Sequence, residues 1–327
     1  MFAFSPAIPS RSDLDWCWYL RRQGKAGEVL ERILHDVGVM HPSGWADWGP
    51  STLTDTGAPV TLTFRRGVPG LELITEVADP DSDPTNRVNQ VCNIMKDLGA
   101  ELPSAALRDV ISAAQGDVQL RYGARLGLRH DGENDLSVML YAELPAAAHD
   151  LLGLMFSAPV LPTVDALGDS AKTTMLAFNA QTKEVTIYWV VEGADRTILP
   201  RLAAPAAVSH QALSRAIDEI DPAQSGPELP TRKLGFSYTA KSDQSAPELG
   251  LYFSAKHMLG DDAIIEERVR AYGASDINAY TNLMDIQSKA PAGRLMHGLV
   301  SMNAHQDMDP TLAISVAAPW HCPFEAM

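Results

Sequence analysis

The stretch Ser137-Val138-Met139-Leu140-Tyr141-Ala142-Glu143-Leu144 decides how this chain is read. Val138, Leu140, Ala142 and Leu144 share one face of an extended segment, and Ser137, Met139, Tyr141 and Glu143 share the other. Side chains alternate across a strand, so the apolar face needs a hydrophobic partner and the mixed face lines something else. Helical patterns flank the segment, so the expected partner is a layer of helices, with the mixed face turned to an enclosed space.

Working outward, the same pattern recurs as hairpins. Val60–Arg65 and Leu71–Val77 flank a Gly67-Val68-Pro69-Gly70 turn, and the second pair is Gln119–Arg129 with Leu136–Leu144. The third is Thr173–Asn179 with Glu184–Glu192, and the fourth is Lys233–Thr239 with Leu249–Ala255. Leu295–Asn303 and Thr311–Ala317 make the fifth. Helical periodicity predicts helices over Asp13–Val37, Pro84–Leu98, Ser104–Gln115, Ala146–Phe156, Ser209–Ile217, Asp261–Ala271 and Asp276–Ser288.

Hairpins spaced by roughly 55 to 65 residues, each followed by helix, form a structural repeat without sequence repetition. An open ten-stranded sheet leaves two unpaired edges, which closure removes. The expected fold class is therefore α+β: a ten-stranded antiparallel β-barrel with a central chamber, surrounded by α-helices. Neither a Pro/Ser-rich linker nor a charge block divides the chain, so residues 1–327 are read as one domain.

If the apolar face packs on helices, the inward residues follow. The first hairpin contributes Thr61, Thr63, Arg65, Glu72, Ile74 and Glu76. The second contributes Arg121, Gly123, Arg125, Gly127 and Arg129, then Ser137, Met139, Tyr141 and Glu143. Glu184, Thr186 and Tyr188 come from the third, and Lys233, Gly235, Ser237, Gly250, Tyr252 and Ser254 from the fourth. In the fifth, Ala313, Ser315 and Ala317 alternate with Leu312, Ile314 and Val316, so the inward face is ambiguous. Tyr141, Tyr188 and Tyr252 recur in the second strands of three successive hairpins. Such rings offer their faces to a cation and their hydroxyls to polar groups; equally, tyrosines are common space-fillers in strands.

Bulk properties narrow the function classes. A net charge of −15 lacks the basic footprint of a nucleic-acid binder and disfavours anionic membranes. No apolar run approaches the ~20 residues of a membrane-spanning helix. The start, Met1-Phe2-Ala3-Phe4, lacks the pattern of a secretory signal, and Cys17, Cys92 and Cys322 are few and far apart. The expectation is a cytoplasmic protein. The nine histidines lack metal-ligand spacing, so neither a metal nor a cofactor is expected. Asp79-Pro80-Asp81-Ser82-Asp83 and Asp261-Asp262 read as helix N-terminal caps.

The ordered set Asp55-Thr56-Gly57-Ala58-Pro59-Val60-Thr61, Leu71 to Glu76, Leu120-Arg121-Tyr122-Gly123, Met139 to Pro145, Val185-Thr186-Ile187-Tyr188 and Gly250-Leu251-Tyr252-Phe253 spans most of the chain. It resembles the aromatic prenyltransferases of the ABBA, or prenyltransferase-barrel, fold, especially their dimethylallyltryptophan synthase branch, enzymes of secondary metabolism. The resemblance implies a barrel that binds an aromatic, indole-like substrate and an allylic diphosphate. It further implies a ring of Lys and Arg for the departing diphosphate, a tyrosine shield around the allylic cation, and a glutamate acting as general base.

Carried over residue by residue, the shield is kept at Tyr141, Tyr188 and Tyr252. Thr61 stands where the resemblance implies the base, and Glu72 where it implies an arginine. Met139 takes the place of a lysine, Glu184 and Thr186 take those of an arginine and a lysine, and Gly250 replaces a polar residue. A diphosphate beside Glu72 and Glu184 is repelled by several kcal/mol unless neutralised. Arg65, Arg121, Arg125, Arg129 and Lys233 are the candidates for a replacement site.

Three readings follow. In the first, the barrel is repurposed to acid-initiated cyclisation or rearrangement without a prenyl diphosphate. Glu72 or Glu184 is then the catalytic acid, and Thr61, Met139, Tyr141, Thr186, Tyr188, Tyr252 and Arg125 contact the substrate. Against this stands the plainer possibility that either acid sits in a salt bridge to Arg65 or Arg125. In the second, the protein is an indole prenyltransferase with a rearranged diphosphate site. In the third, it is a non-catalytic protein that sequesters a small molecule.

Overall fold

The computed structural model describes residues 24–36, 40–41, 44–45, 51–67, 71–79, 81–116, 118–130, 136–145, 160–221, 226–240, 245–271, 277–287, 296–306 and 308–318. Besides a short pair at Met40–His41 and Gly44–Trp45, ten barrel strands run Val60–Arg65 (β1), Leu71–Thr75 (β2), Ala124–His130 (β3), Leu136–Glu143 (β4), Ala171–Asn179 (β5), Val185–Glu192 (β6), Lys233–Ala240 (β7), Glu248–Ser254 (β8), His297–Ala304 (β9) and Thr311–Ala317 (β10). Each pairs antiparallel with its sequence neighbours, and β10 pairs with β1, Ala317 opposite Thr61, to close the barrel. The expected fold class holds.

The helices are Gly24–Asp36 (α1), Arg87–Asp97 (α2), Ala105–Gln115 (α3), Val160–Asp165 (α4), Leu199–Ala203 (α5), His210–Ile220 (α6), Ala255–Leu259 (α7), Asp262–Ala271 (α8) and Ile277–Gln287 (α9). Their starts follow from local chemistry. Ser104 accepts a hydrogen bond from the Leu107 amide at 3.1 Å, and Ser209 from that of Ala212 at 3.3 Å, each satisfying an orphan donor of the first turn. Asp261 does the same for Ile264 at 3.0 Å, and Asp83 caps a 3-10 turn at Pro84. The short helices α4, α5 and α7 carry too few residues for a helical period to stand out. The expected helix over Ala146–Phe156 and the expected start of the first helix at Asp13 fall outside the described residues.

The apolar face of every strand is buried against this outer layer. Leu62, Leu73, Leu126, Leu140, Leu176, Ile187, Phe236, Leu251, Met302 and Val316 are all fully enclosed there. Trp189 stacks on Phe236 with ring centroids 5.4 Å apart, and Tyr238 reaches the Leu202 carbonyl of α5 at 2.7 Å. Ile314 and Val316 join that outer core, which turns Ala313 and Ser315 inward and resolves the fifth hairpin up to Ala317, which packs with the outer core at the strand end. A second, separate cluster lies on the inner face: Met139, Tyr141 and Ala177, with Ile74, Met175 and Tyr188 packed on them. The barrel wall thus has two distinct apolar surfaces. No helix among the described residues is long and apolar enough to cross a membrane.

Strand β3 begins at Ala124 rather than near Gln119, and the cause is Glu143. Its carboxylate accepts the backbone amides of Arg121 (3.0 Å), Tyr122 (2.8 Å) and Gly123 (2.9 Å), which curls 121–123 out of the ladder. Gly123 has φ +63°, and an added Cβ would stand 2.0 Å from the Pro84 carbonyl oxygen, so only glycine fits. Arg121 is therefore exposed on a loop and not an inward strand residue.

Candidate active site in the barrel

The register brings the three tyrosines of alternate strands into one arc. Ring centroids of Tyr141 (β4) and Tyr188 (β6) are 6.4 Å apart, and those of Tyr188 and Tyr252 (β8) are 5.6 Å apart. Both pairs are tilted at 50°, within the separations at which aromatic rings attract. Burial pushes the Tyr141 and Tyr188 hydroxyls well above the ordinary range, reinforced by Glu72 and the neighbouring tyrosines. Burial likewise pushes Tyr252 up to about 12, so all three are neutral phenols at physiological pH. Their faces are available to a cation and their hydroxyls remain donors.

Glu72 stands at one end of the arc. Its Oε2 accepts from Arg65 Nη2 at 2.5 Å and Nε at 3.2 Å, and its Oε1 from the Tyr141 hydroxyl at 3.4 Å. The Arg65 guanidinium can only donate, so the Oε2 it binds acts as an acceptor. Glu72 in turn raises Arg65 and holds its guanidinium charged. The two side chains lie across the first hairpin, which is why seven residues of separation become contact.

A second charge cluster lies at the end of the barrel where the strands connect to helices. Glu76, 1% exposed, accepts from Arg125 Nε at 3.0 Å, Arg87 Nη1 at 3.1 Å and the Ser51 hydroxyl at 2.6 Å. Arg125 also donates to Thr52 Oγ1 at 2.9 Å and covers the Tyr122 ring at 3.9 Å. Arg125 is therefore bound to a carboxylate, and Arg87 and Ser51 are members of the cluster that sequence reasoning missed. A lone arginine at a helix start gives no signal that it will turn inward beneath a barrel.

The other candidates are distributed unevenly. Met139 lies under Tyr141, its sulfur 3.6 Å from the hydroxyl. Thr186 Oγ1 is hydrogen-bonded to Thr239 Oγ1 at 2.8 Å. Thr61, on the β1 wall, bonds the Val316 carbonyl at 3.3 Å. Glu184 lies on the turn before β6, where Thr182 donates to it at 2.8 Å. Four residues of strand put it roughly 13 Å from Tyr188, so it is not brought together with the tyrosine arc. Among the described residues, no three His, Cys, Asp or Glu side chains gather where they could hold a metal ion.

No family model and no curated protein matches the sequence. Solved structures do. The chain is similar to 5-dimethylallyltryptophan synthase from Streptomyces coelicolor at TM-score 0.72 and 14% identity, over 96% of this chain and 98% of that one. It is similar to the apo form of the prenyltransferase PriB at TM-score 0.71 and 14% identity, over 94% of each chain. A third match is 6-dimethylallyltryptophan synthase from Micromonospora olivasterospora in complex with DMASPP and Trp. There the TM-score is 0.64 and the identity 17%, over 94% of this chain and 98% of that one. The closed ten-stranded barrel with its helical ring is the ABBA, or prenyltransferase-barrel, fold. Identities this low establish the architecture and leave the chemistry to the residues of this chain.

Proposed function

We propose that the barrel is the active site of an enzyme acting on an aromatic, indole-like small molecule that passes through a cation. The cation arises by protonation of an alkene or imine and not by departure of a diphosphate, and it closes a ring or rearranges. The faces of Tyr141, Tyr188 and Tyr252 stabilise it, with Met139, Thr186 and Thr61 completing the contact surface. Glu72 is the counter-charge, and it takes up the proton that ring closure releases. The proton that starts the reaction comes from solvent entering at the hairpin end, because Glu184, roughly 13 Å from Tyr188, is too far from the arc to deliver it. Proton in and proton out leave substrate and product isomeric.

The observation that carries this reading is the neutralisation of two of the three inward arginines: Arg65 is held by Glu72, and Arg125 by Glu76. A diphosphate entering here would have to displace a carboxylate or lie beside one. The test is incubation with a panel of indole-type substrates in D2O, with mass spectrometry. The expected product carries one solvent deuterium and no other added mass, whereas a product enlarged by an isoprene unit when an allylic diphosphate is supplied would overturn the proposal.

A second reading, prenyl transfer, has one observation of its own. Arg129 shares the inward face of β3 with Arg125 and, although opposite Glu72 in register, has no hydrogen-bond or ion-pair partner among the described residues. Together with the Micromonospora enzyme described with DMASPP and Trp, it keeps an aromatic acceptor and a prenyl diphosphate in view. Titration with dimethylallyl and geranyl diphosphate separates the two: heat at micromolar ligand favours transfer, and silence at millimolar ligand excludes it.

A further inference from the structure

Two glycines on the inward face are filled by tyrosine rings. A Cβ built on Gly127 would stand 2.4 Å from Tyr141 Cε2 and 3.1 Å from Met139 Cβ. One built on Gly250 would stand 2.5 Å from Ser237 Oγ, 2.6 Å from the Tyr252 hydroxyl oxygen and 3.0 Å from Tyr252 Cζ. In β8 the Tyr252 ring is folded back over Gly250, and its hydroxyl meets Ser237 Oγ at 3.0 Å on β7. Tyr141 is laid across Gly127 of the neighbouring strand, opposite Arg125 in register, with its hydroxyl against Glu72 and Met139. A strand glycine commonly marks such a close approach.

On the opposite wall, apart from Arg65 opposite Ala313 at the hairpin end, a run of inward side chains is small. Thr61 and Thr63 of β1, Ser301 of β9, and Ala313 and Ser315 of β10 are in register across adjacent strands. The width available to a planar ligand is therefore set from the tyrosine side, by how deeply two rings recess into the places a side chain would otherwise occupy.

We propose that Gly127 and Gly250 are specificity-determining residues: each opens the recess that takes a tyrosine ring, and together they fix the largest aromatic the barrel admits. The inference rests on the reading that an aromatic occupies the barrel. A methyl at either position cannot share space with the ring. The ring must leave its recess toward the lumen, and for Tyr252 this also breaks the bond to Ser237.

The experiment compares the native chain with Gly250→Ala and with Gly250→Ala/Tyr252→Leu, using indole as the small probe and 2-phenylindole as the large one. In Gly250→Ala, indole affinity is expected to change less than about twofold, while 2-phenylindole weakens by roughly tenfold or more. The double variant, with the ring removed, regains the large probe. A crystal structure of Gly250→Ala is expected to show the Tyr252 hydroxyl parted from Ser237. Equal weakening of both probes, or a Tyr252 ring still on Ser237, would overturn the proposal. If neither probe binds the native chain, the aromatic reading fails, and the ring position in the crystal structure still decides what the glycine does.

Discussion

Replacing Glu72 by Gln tests whether charge neutralisation is what separates this barrel from one that binds a diphosphate. The substitution keeps size and one acceptor and removes a single negative charge beside Arg65. For an anion of charge about −3 lodged on the Arg65 guanidinium, the Glu72 carboxylate is about 7 Å away. With an effective dielectric constant of about 40 to 80, suited to partly exposed groups, its repulsion is about 2–4 kcal/mol. Affinity for inorganic pyrophosphate or geranyl diphosphate is therefore expected to rise roughly 30- to 900-fold in Glu72→Gln. The gain should shrink as salt is raised from 0.05 M to about 0.5 M, because screening acts on this term. Arg65 and Glu72 are 24% and 11% exposed, so the lost pair should cost only about 1 kcal/mol of stability, and a folded variant is expected. Isothermal titration supplies the affinities and urea unfolding checks the fold. Equal affinity in the native chain and the variant, with the variant folded, would refute the reasoning. So would tight pyrophosphate binding by the native chain.

Glu76→Gln removes the counter-charge from two guanidiniums, Arg87 at 1% and Arg125 at 9% exposure, which keep only neutral acceptors such as the Asp79 carbonyl and Thr52, and should cost about 3–5 kcal/mol. With an unfolding entropy of about 2.1 cal/mol/K per residue over 327 residues, that lowers Tm by about 4–7 °C, readable by thermal unfolding. Gly123→Ala places a Cβ 2.0 Å from the Pro84 oxygen at φ +63° and should destabilise by more than about 2 kcal/mol in urea, with Glu143→Gln partly reproducing it. Asp262 accepts from His297 Nδ1 at 2.6 Å and from the Met296 amide at 2.9 Å; burial pushes its carboxyl up, but these bonds outweigh it and hold it below its ordinary 3.8. Below about pH 4 the unfolded chain binds a proton there that the folded chain does not. This part of the stability is therefore full above that pH and lost as pH falls through the folded value. Asp262→Asn should flatten the acid limb of a stability–pH curve.

The barrel was legible because its strands carry a two-residue period with a predominantly apolar outer face. Leu140 beside Tyr141, or Ile187 beside Tyr188, states both faces at once. The site was legible in membership and not in pairing. Arg65, Glu72, Glu76 and Arg125 all read as inward, yet which carboxylate meets which guanidinium depends on register and diagonal reach between strands. Arg129 lies directly opposite Glu72 in register, but the carboxylate is taken by Arg65 from its own hairpin. That choice decides the electrostatics of the lumen. An inward Arg65 without Glu72 would be an anion site; with Glu72 it is a neutral pair that also accepts from Tyr141. The same holds for Arg125, whose partner Glu76 is bound in addition by Arg87, a residue of α2 rather than of the barrel. Composition along the strands therefore overstates how much positive charge the lumen offers. Only the three tyrosines keep, in the folded barrel, the character their positions implied, because a buried phenol stays neutral and its face needs no partner to attract a cation.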